Sequence, residues 1–295
     1  MLTLARDYVR YAPWRAGKAL LVDRYLNAAL KADPVVRLAR LWTGQRVRVD
    51  TRDIVQRYLY QFGVWEPNLT ALLRRRLRPG DVFVDCGANI GYFSLVAAHL
   101  VGPAGRVVAV EASPSVCAVL RGNLALNRVG TVRTVPKAVS DRAQTLAFYQ
   151  PVPGAPSVTT SVRPSEADVP VFEVDALPLA ELVRPEELRR ARLIKIDVEG
   201  GEHVALAGLR PVLGELRPEA EIVVEVSQRL LASQSHTVAE TVELLTSQGF
   251  HPYRLANSYR PSSYVDTAPG PALRVRGELT GDADLVFSRL DAEAV

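Results

Sequence analysis

Residues 82–91, with the sequence VFVDCGANIG, decide the fold. An apolar run that ends in an acid and is followed by glycines predicts a buried strand, a tight turn and a helix that begins near Gly91. Glycine lets the backbone turn and approach a ligand with no Cβ in the way, and a helix N-terminus directs N–H groups at that ligand. The stretch therefore predicts a ligand-binding turn at the carboxyl end of a buried strand.

Strand and helix signals alternate from this turn towards the end of the chain. Apolar runs predict strands at 81–86, 106–110, 132–135, 192–196 and 221–226, with closing antiparallel strands at 251–256 and 284–289. Helical patterns lie between them, at 91–100, 114–127, 202–216 and 236–248. This alternation indicates an α/β fold in which helices cover both faces of a central, mostly parallel sheet.

The part of the chain before this core has a different character. Residues 1–44 mix apolar, Arg and Ala positions and predict two or three short helices, and residues 47–53 predict a short β ribbon. A helix is predicted from Pro67 to about Leu77. We therefore predict an Arg-rich helical and β extension over residues 1–60 and a second domain over residues 61–295. Residues 151–170, rich in Pro, Ser and Thr, predict an irregular loop.

The charge of the chain is unevenly distributed. Of its 295 residues 48% are hydrophobic, enough for a sizeable core, and the net charge is +4. Residues 1–80 hold 16 basic and 6 acidic residues (+10), so the remainder carries −6. Arginine binds phosphate bidentately, so this flank suits an anionic or glycolipid-bearing membrane surface; a plain solvated surface is the alternative. Two cysteines and an N-terminus interrupted by charges indicate a cytoplasmic protein. The sequence leaves the oligomeric state open, and a homodimer is compatible with it.

A cofactor site is expected around the turn. Gly87, Ala88, Asn89 and Gly91 would shape it, and Asp85 could accept hydrogen bonds from an ammonium group. Glu111 ends the second strand, 20 residues after Gly91, where an acid can accept both hydroxyls of a ribose. A turn that binds a dinucleotide cofactor has G-x-G-x-x-G spacing, which this turn lacks. The wider loop with an acid at its start suits S-adenosylmethionine, which has an amino acid in place of the pyrophosphate.

Four blocks resemble the FkbM family of S-adenosylmethionine-dependent methyltransferases over about residues 60–256. They are VDCGANIG at 84–91, VEASP at 110–114, AVSD at 138–141 and LIKIDVEGGE at 193–202. The resemblance implies a class I Rossmann-like fold with a seven-stranded sheet, and O-methylation of a hydroxyl on a sugar, polyketide or other secondary metabolite. It also assigns Ala112, Ser140 and Asp141 to the cofactor. Glu66, in a Trp-Glu-Pro pattern of the family, would close the cofactor pocket or cap the helix at Pro67.

The expected catalytic residues are Asp197, Lys195 and Glu199, after the fourth core strand. Methyl transfer to an alcohol needs an aligned hydroxyl oxygen and an acceptor for its proton. Asp197 could accept that proton or hold a divalent cation such as Mg²⁺, together with Glu199 and Glu225. Lys195 would stabilise the developing alkoxide or separate the carboxylates. His203 is a further candidate base, although a His in a first helical turn is more often a surface residue.

Three functions are compatible with these residues. The leading hypothesis is an O-methyltransferase whose acceptor is a hydroxyl of a small molecule: a sugar, glycolipid, polyketide or other secondary metabolite. The alternative is a catalytically inactive nucleotide-binding protein of the same fold. The presence of the expected catalytic acids, including Asp197 and Glu199, argues against this alternative. A nucleic-acid methyltransferase is the third, and no nucleic acid is expected, because the chain lacks an Asn/Asp-Pro-Pro-Tyr type motif for base amines.

Overall fold

The computed structural model describes residues 2–14, 16–150, 159–165, 168–266 and 268–295, and has a single large sheet at its centre. The sheet has eight strands in the order β12-β11-β13-β10-β9-β3-β4-β5. These are β3 (Val82–Cys86), β4 (Arg106–Val110), β5 (Val132–Val135), β9 (Ala191–Ile196), β10 (Glu221–Val226), β11 (His251–Leu255), β12 (Leu273–Arg274) and β13 (Ala283–Ser288). The predicted α/β class and the seven expected strands are confirmed, and the two-residue β12 extends one edge.

The direction of the strands explains where a ligand site can form. The five strands β5, β4, β3, β9 and β10 run parallel, whereas β13 and β11 are antiparallel to their neighbours. All five parallel strands therefore end at the same edge of the sheet. The chain passes from β3 to β4 and β5 on one side of β3 and then crosses back to β9 on its other side, which makes the end of β3 the switch point at which such sheets bind ligands.

Helices cover both faces of the sheet because successive strand residues point to opposite sides. Phe83 lies in one hydrophobic cluster and Val84 in the other. The first cluster includes side chains of α4 (Ile54–Phe62), α5 (Pro67–Arg76), α6 (Tyr92–Val101) and α7 (Pro114–Leu126). The second includes side chains of α8 (Leu179–Leu182), α9 (Pro185–Arg189), α10 (Glu202–Leu209), the following 3₁₀ helix (Arg210–Glu215), α11 (Gln228–Ala232) and α12 (Val238–Thr246). A short helix, α13 (Ser263–Asp266), lies in the segment between β11 and β12.

The N-terminal extension contains both predicted kinds of structure. It comprises α1 (Leu2–Tyr11), α2 (Lys18–Leu21), a π-helical turn (Val22–Leu26), α3 (Asn27–Ala32) and an antiparallel ribbon of β1 (Val36–Arg40) and β2 (Arg46–Asp50). The prediction of helices as far as residue 44 is wrong for 36–40, which form strand β1. In this strand the side chains of Val36, Leu38 and Arg40 lie on one face and those of their neighbours on the other. The predicted boundary at residue 60 falls inside α4, and Val9 and Leu73 share one hydrophobic cluster across it.

A second, three-stranded sheet lies beside the edge of β5 and was not predicted. Its order is β6-β8-β7, formed by β6 (Ala138–Ser140), β7 (Gln144–Phe148) and β8 (Phe172–Pro178). The predicted loop of 151–170 lies partly outside the described residues; within it, Thr160 pairs with Tyr149 as an isolated bridge. None of the helices that the structure describes is both long and apolar enough to cross a bilayer.

Candidate functional site

Three loops meet at the carboxyl end of the parallel strands. They follow β3, β4 and β9, and the first two touch because the N–H groups of Gly87 and Ala88 both donate to the carbonyl oxygen of Val110, at 3.0 Å. A Cβ on Gly87, whose φ is +76°, would lie 1.7 Å from the carbonyl oxygen of Asp197. Only glycine fits there, so the loops after β3 and β9 are in backbone contact.

Glu111 connects the loop after β4 to the turn after β3. Its buried carboxylate accepts hydrogen bonds from the backbone N–H groups of Asn89, at 2.8 Å, and Ser113, at 2.9 Å. Burial raises the pKa of Glu111 to about 7, although both hydrogen bonds oppose the rise. The carboxylate also lines a cavity, so its remaining lone pairs are available to a ligand.

This cavity, called the first cavity, lies between the glycine turn and the small sheet. Polar groups line one side, including Gly87, Asn89 and Glu111, and apolar side chains line the other, including Val139 and Phe148. An apolar slot beside an acid suits a flat ring attached to a sugar.

A second cavity adjoins the first and is lined by a different set of side chains. Ile54, Trp65, Glu66, Phe93, Lys195, Glu225 and Tyr259 are among its lining residues. Gly87, Asn89, Asp197 and Glu199 line both cavities. Molecules held in the two cavities would meet at these four residues.

Lys195 is buried at this junction between carboxylates. Its Nζ lies 2.8 Å from Oδ2 of Asp197 and 3.8 Å from Oδ1 of Asp85, above the ring of Phe93. Burial alone would lower the pKa of Lys195, but Asp197 and Asp85 raise it above its ordinary range. Lys195 is therefore a fixed ammonium that can donate hydrogen bonds and cannot serve as a base at neutral pH.

The loop after β9 brings Glu199 to the junction. Glu199 has a φ of +52° and Gly200 one of +99°, and the loop is held because the carboxylate of Glu202 accepts the N–H groups of Val198 and Gly200 at 3.0–3.1 Å. Burial, followed by the charges of Asp197 and Glu202, raises the pKa of Glu199 to about 7.

Two acids face each other across the second cavity through one tyrosine. The hydroxyl of Tyr259 lies 3.0 Å from Oε1 of Glu66 and 3.4 Å from Oε1 of Glu225, and has only one proton to donate. Burial, followed by the charge of Asp284, raises the pKa of Glu66 to about 8. The charge of Asp197, followed by burial, raises that of Glu225 to about 11. Both acids therefore hold a proton at neutral pH.

The structure brings most of the predicted residues together and places others elsewhere. Ala112 lines the first cavity and Ala88 the second. Among the described residues, neither cavity is lined by Asp85, Gly91, Ser140 or Asp141. Asp85 is fully buried, with Oδ2 accepting the Ser94 hydroxyl at 2.6 Å. Ser140 lies under α10, and Ala138 and Val139 line the first cavity in its place.

Further differences concern the acids and histidines. Glu66, predicted at the cofactor, lines the second cavity, and it accepts no capping hydrogen bond for α5. Within the described residues no three His, Cys, Asp or Glu side chains are arranged to hold a metal ion, so the predicted magnesium site of Asp197, Glu199 and Glu225 is not supported. His203 stacks on His236 and lines neither cavity.

Two residues at the site, Tyr259 and Asp284, are not predicted from the sequence. Tyr259 stacks on Trp65 with ring centroids 5.3 Å apart, in a segment without periodicity, so no local pattern marked it. Asp284 pairs with Glu225 in the β10–β13 register, a signal that exists only once the strands are paired.

Comparisons with known proteins find sequence and structural relatives of this chain. A family model described as the methyltransferase FkbM domain matches residues 85–252. The chain is 31% identical over 201 residues to 31-O-demethyl-FK506 methyltransferase FkbM of Streptomyces tacrolimicus, an alignment that covers 59% of this chain and 74% of that protein. It is 28% identical over 190 residues to Methyltransferase 1 of Beauveria bassiana, covering 58% and 73%. A solved structure of methyltransferase FkbM from Methylobacillus flagellatus has 14% identity and a TM-score of 0.46, covering 97% of this chain and 58% of that one.

Proposed function

Because the chain belongs to the FkbM family of S-adenosylmethionine-dependent methyltransferases, we propose that it methylates a hydroxyl oxygen of a small molecule, such as a sugar, glycolipid, polyketide or other secondary metabolite. The observation that carries the proposal is the junction of two cavities at Gly87, Asn89, Asp197 and Glu199. A relative of 31% identity is named as a methyltransferase of 31-O-demethyl-FK506, which supports an oxygen acceptor.

The first cavity fits the adenosyl part of the cofactor. Glu111 presents carboxylate oxygens at the carboxyl end of β4, where they would accept the ribose hydroxyls, and Val139 and Phe148 would pack on the adenine. The backbone of Gly87 and Asn89 would pass beside the methionine portion. When bound, S-adenosylmethionine supplies an electrophilic methyl group on a sulfonium.

The second cavity would hold the acceptor. Lys195, which is fixed at the junction by its ion pair with Asp197, can donate a hydrogen bond to the acceptor oxygen and orient it, so that the hydroxyl proton is left for a base. Glu199 would take the hydroxyl proton as the acceptor oxygen receives the methyl group that the cofactor supplies. A base with a pKa of about 7 is matched to this task at neutral pH.

The proposal is tested by supplying the protein with S-adenosylmethionine that carries a radiolabelled methyl group, together with a panel of hydroxylated small molecules. We expect labelled methyl ethers, which resist alkali. Label released by mild alkali would show a methyl ester, and label on nitrogen would likewise contradict the oxygen acceptor. Calorimetric binding of S-adenosylhomocysteine with no transfer to any class of acceptor would favour an inactive nucleotide-binding protein.

A further inference from the structure

Exposed apolar side chains are concentrated in the N-terminal extension. In the described part of the chain, nine of the fifteen large apolar side chains that are well exposed lie within residues 4–54. Leu4 is 75% exposed, Tyr11 64%, Trp14 63% and Leu38 52%. Single exposed apolar side chains are ordinary, but a concentration of them in one segment marks an interaction surface.

The β1–β2 ribbon adds positive charge to this segment. In its register Arg40 pairs with Arg46, and Leu38 with Arg48. Residues that pair directly share a face, so one leucine and three arginines point the same way. The opposite face contains Ala39 and Val47, which are buried. The ribbon thus turns its basic face to solvent.

These arginines have no acidic partner in the part of the chain that the structure describes. Among the described residues, Arg40, Arg46 and Arg48 form no ion pair. The ribbon itself is held rigidly, because the backbone N–H groups of Arg46 and Arg48 donate to the side-chain oxygens of Asn127 and Asn123 on α7, both at 2.8 Å. Two arginines opposite each other repel, which is tolerated where an anion comes between them or beside them.

Helix α1 lies beside the ribbon. The guanidinium of Arg10 donates to the carbonyl oxygen of Arg40 and, at 3.3 Å, to that of Tyr60. Leu4 and Tyr11 are seven residues apart, so they share one face of α1, whereas Val9 is buried. Helix α1, with its exposed apolar face, therefore lies close to the Arg40 end of the ribbon.

We propose that this region, formed by the exposed faces of α1 and of the β1–β2 ribbon, docks the protein on an anionic lipid surface. Arginine binds lipid phosphates bidentately, while leucine, tryptophan and tyrosine enter the interface between headgroups and acyl chains. The apolar side chains are spread over a helix, a loop and a ribbon and are not gathered in a groove, which suits a membrane better than a folded acidic partner. Ile54, shortly after the ribbon, lines the second cavity, so a docked molecule holds that cavity close to the lipid.

Vesicle co-sedimentation of the full chain tests the proposal without any turnover, so its result is independent of the proposed reaction. We expect binding to vesicles of phosphatidylcholine with phosphatidylglycerol, weakening as salt rises, and none to phosphatidylcholine alone. Arg46→Gln with Arg48→Gln should weaken binding about 30-fold, at about five-fold for each arginine. The matched control, Arg106→Gln with Arg229→Gln, removes the same charge from exposed arginines elsewhere and should bind as the parent does.

The apolar contribution is tested with a second pair of variants. Leu38→Gln should weaken vesicle binding, whereas Leu290→Gln, at a side chain that is 60% exposed, should not. Brominated acyl chains should quench tryptophan fluorescence, and a Trp14→Phe variant should lose part of that quenching, with the remainder coming from Trp42, which is 39% exposed between β1 and β2. Equal loss of binding in both arginine pairs, or no binding to anionic vesicles, would overturn the proposal. Competition by soluble glycerol phosphate at the same phosphate concentration would also overturn it, because the arginines would then serve a free phosphate compound.

Discussion

Removing the carboxylate of Glu111 should weaken both cofactor binding and the fold, and cofactor binding the more strongly. Glu111→Ala loses two sets of hydrogen bonds, those from the backbone of Asn89 and Ser113 and those proposed from the ribose. A hydrogen bond to a charged group contributes about 1.5–3 kcal/mol, so the loss of two ribose hydroxyl contacts amounts to about 3 kcal/mol or more, a rise in Kd of at least about 100-fold.

Glu202→Ala is the matched control for this variant. Glu202 is also buried, also has a pKa raised to about 7, and also accepts the N–H groups of two residues in a neighbouring loop, but it lines neither cavity. Both variants should lose a similar amount of stability in thermal unfolding, on the order of 1–3 kcal/mol for the donors left without partners. Titration calorimetry with S-adenosylhomocysteine should show the larger affinity loss in Glu111→Ala, because Glu202 acts on the first cavity only through the backbone of Val198 and Gly200.

The pH dependence of the same titration gives an independent check. Because the pKa of Glu111 is about 7 without ligand and the ribose hydroxyls donate to its ionised form, affinity should fall as the pH drops below 7. Glu111→Ala should lose this dependence. Equal affinities in the two alanine variants would refute the ribose assignment. So would a parent affinity that is unchanged between pH 6 and pH 8, about one pH unit on either side of the pKa.

Three more predictions concern the junction and the second cavity. Gly87→Ala should destabilise the fold by on the order of 3 kcal/mol or more in chemical denaturation, because its Cβ would overlap the carbonyl oxygen of Asp197, whereas Gly80→Ala, also at positive φ but with open space around it, should cost about 1 kcal/mol. Glu199→Gln should lower kcat by about 100-fold to 10,000-fold and abolish the rise of kcat near pH 7, with S-adenosylhomocysteine binding nearly unchanged; an unaltered pH profile would move the base to Asp197. The pKa of Glu66 is about 8 in the folded state, above its unfolded value, so the folded state binds the extra proton and stability falls as the pH rises from about 4.5 through 8. Glu66→Gln should therefore stabilise the protein by on the order of 1–3 kcal/mol at pH 8 and by little at pH 5. A variant whose stability changes equally at both pH values would contradict this.

The sequence predicts the core of this fold well because its signals are local. The apolar runs of β3, β4 and β9 are buried on both faces, so each run is continuous and ends at a glycine or an acid. Strand β1 was missed because arginines interrupt its apolar positions, and only its pairing with β2 makes the alternation meaningful. The small sheet was missed for a similar reason, since β6 has three residues and pairs with β8 across a stretch of more than thirty.

The candidate site divides in the same way between local and distant signals. Glu111 and the residues from Lys195 to Glu199 follow strands directly, and parallel strands bring their ends together, so sequence order alone placed them at one site. The second cavity is assembled differently: Glu66 precedes α5, Glu225 lies in β10, and Tyr259 follows β11, so their contacts span up to 193 residues. The sequence places acids at both positions, but their raised pKa values arise only in the folded chain: burial and then the charge of Asp284 raise the pKa of Glu66, and the charge of Asp197 and then burial raise that of Glu225. The role of Glu225 therefore depends on how its strand is paired. Chemistry alone suggested a magnesium ligand, whereas in the folded chain Glu225 is a protonated side chain that lines the proposed acceptor cavity.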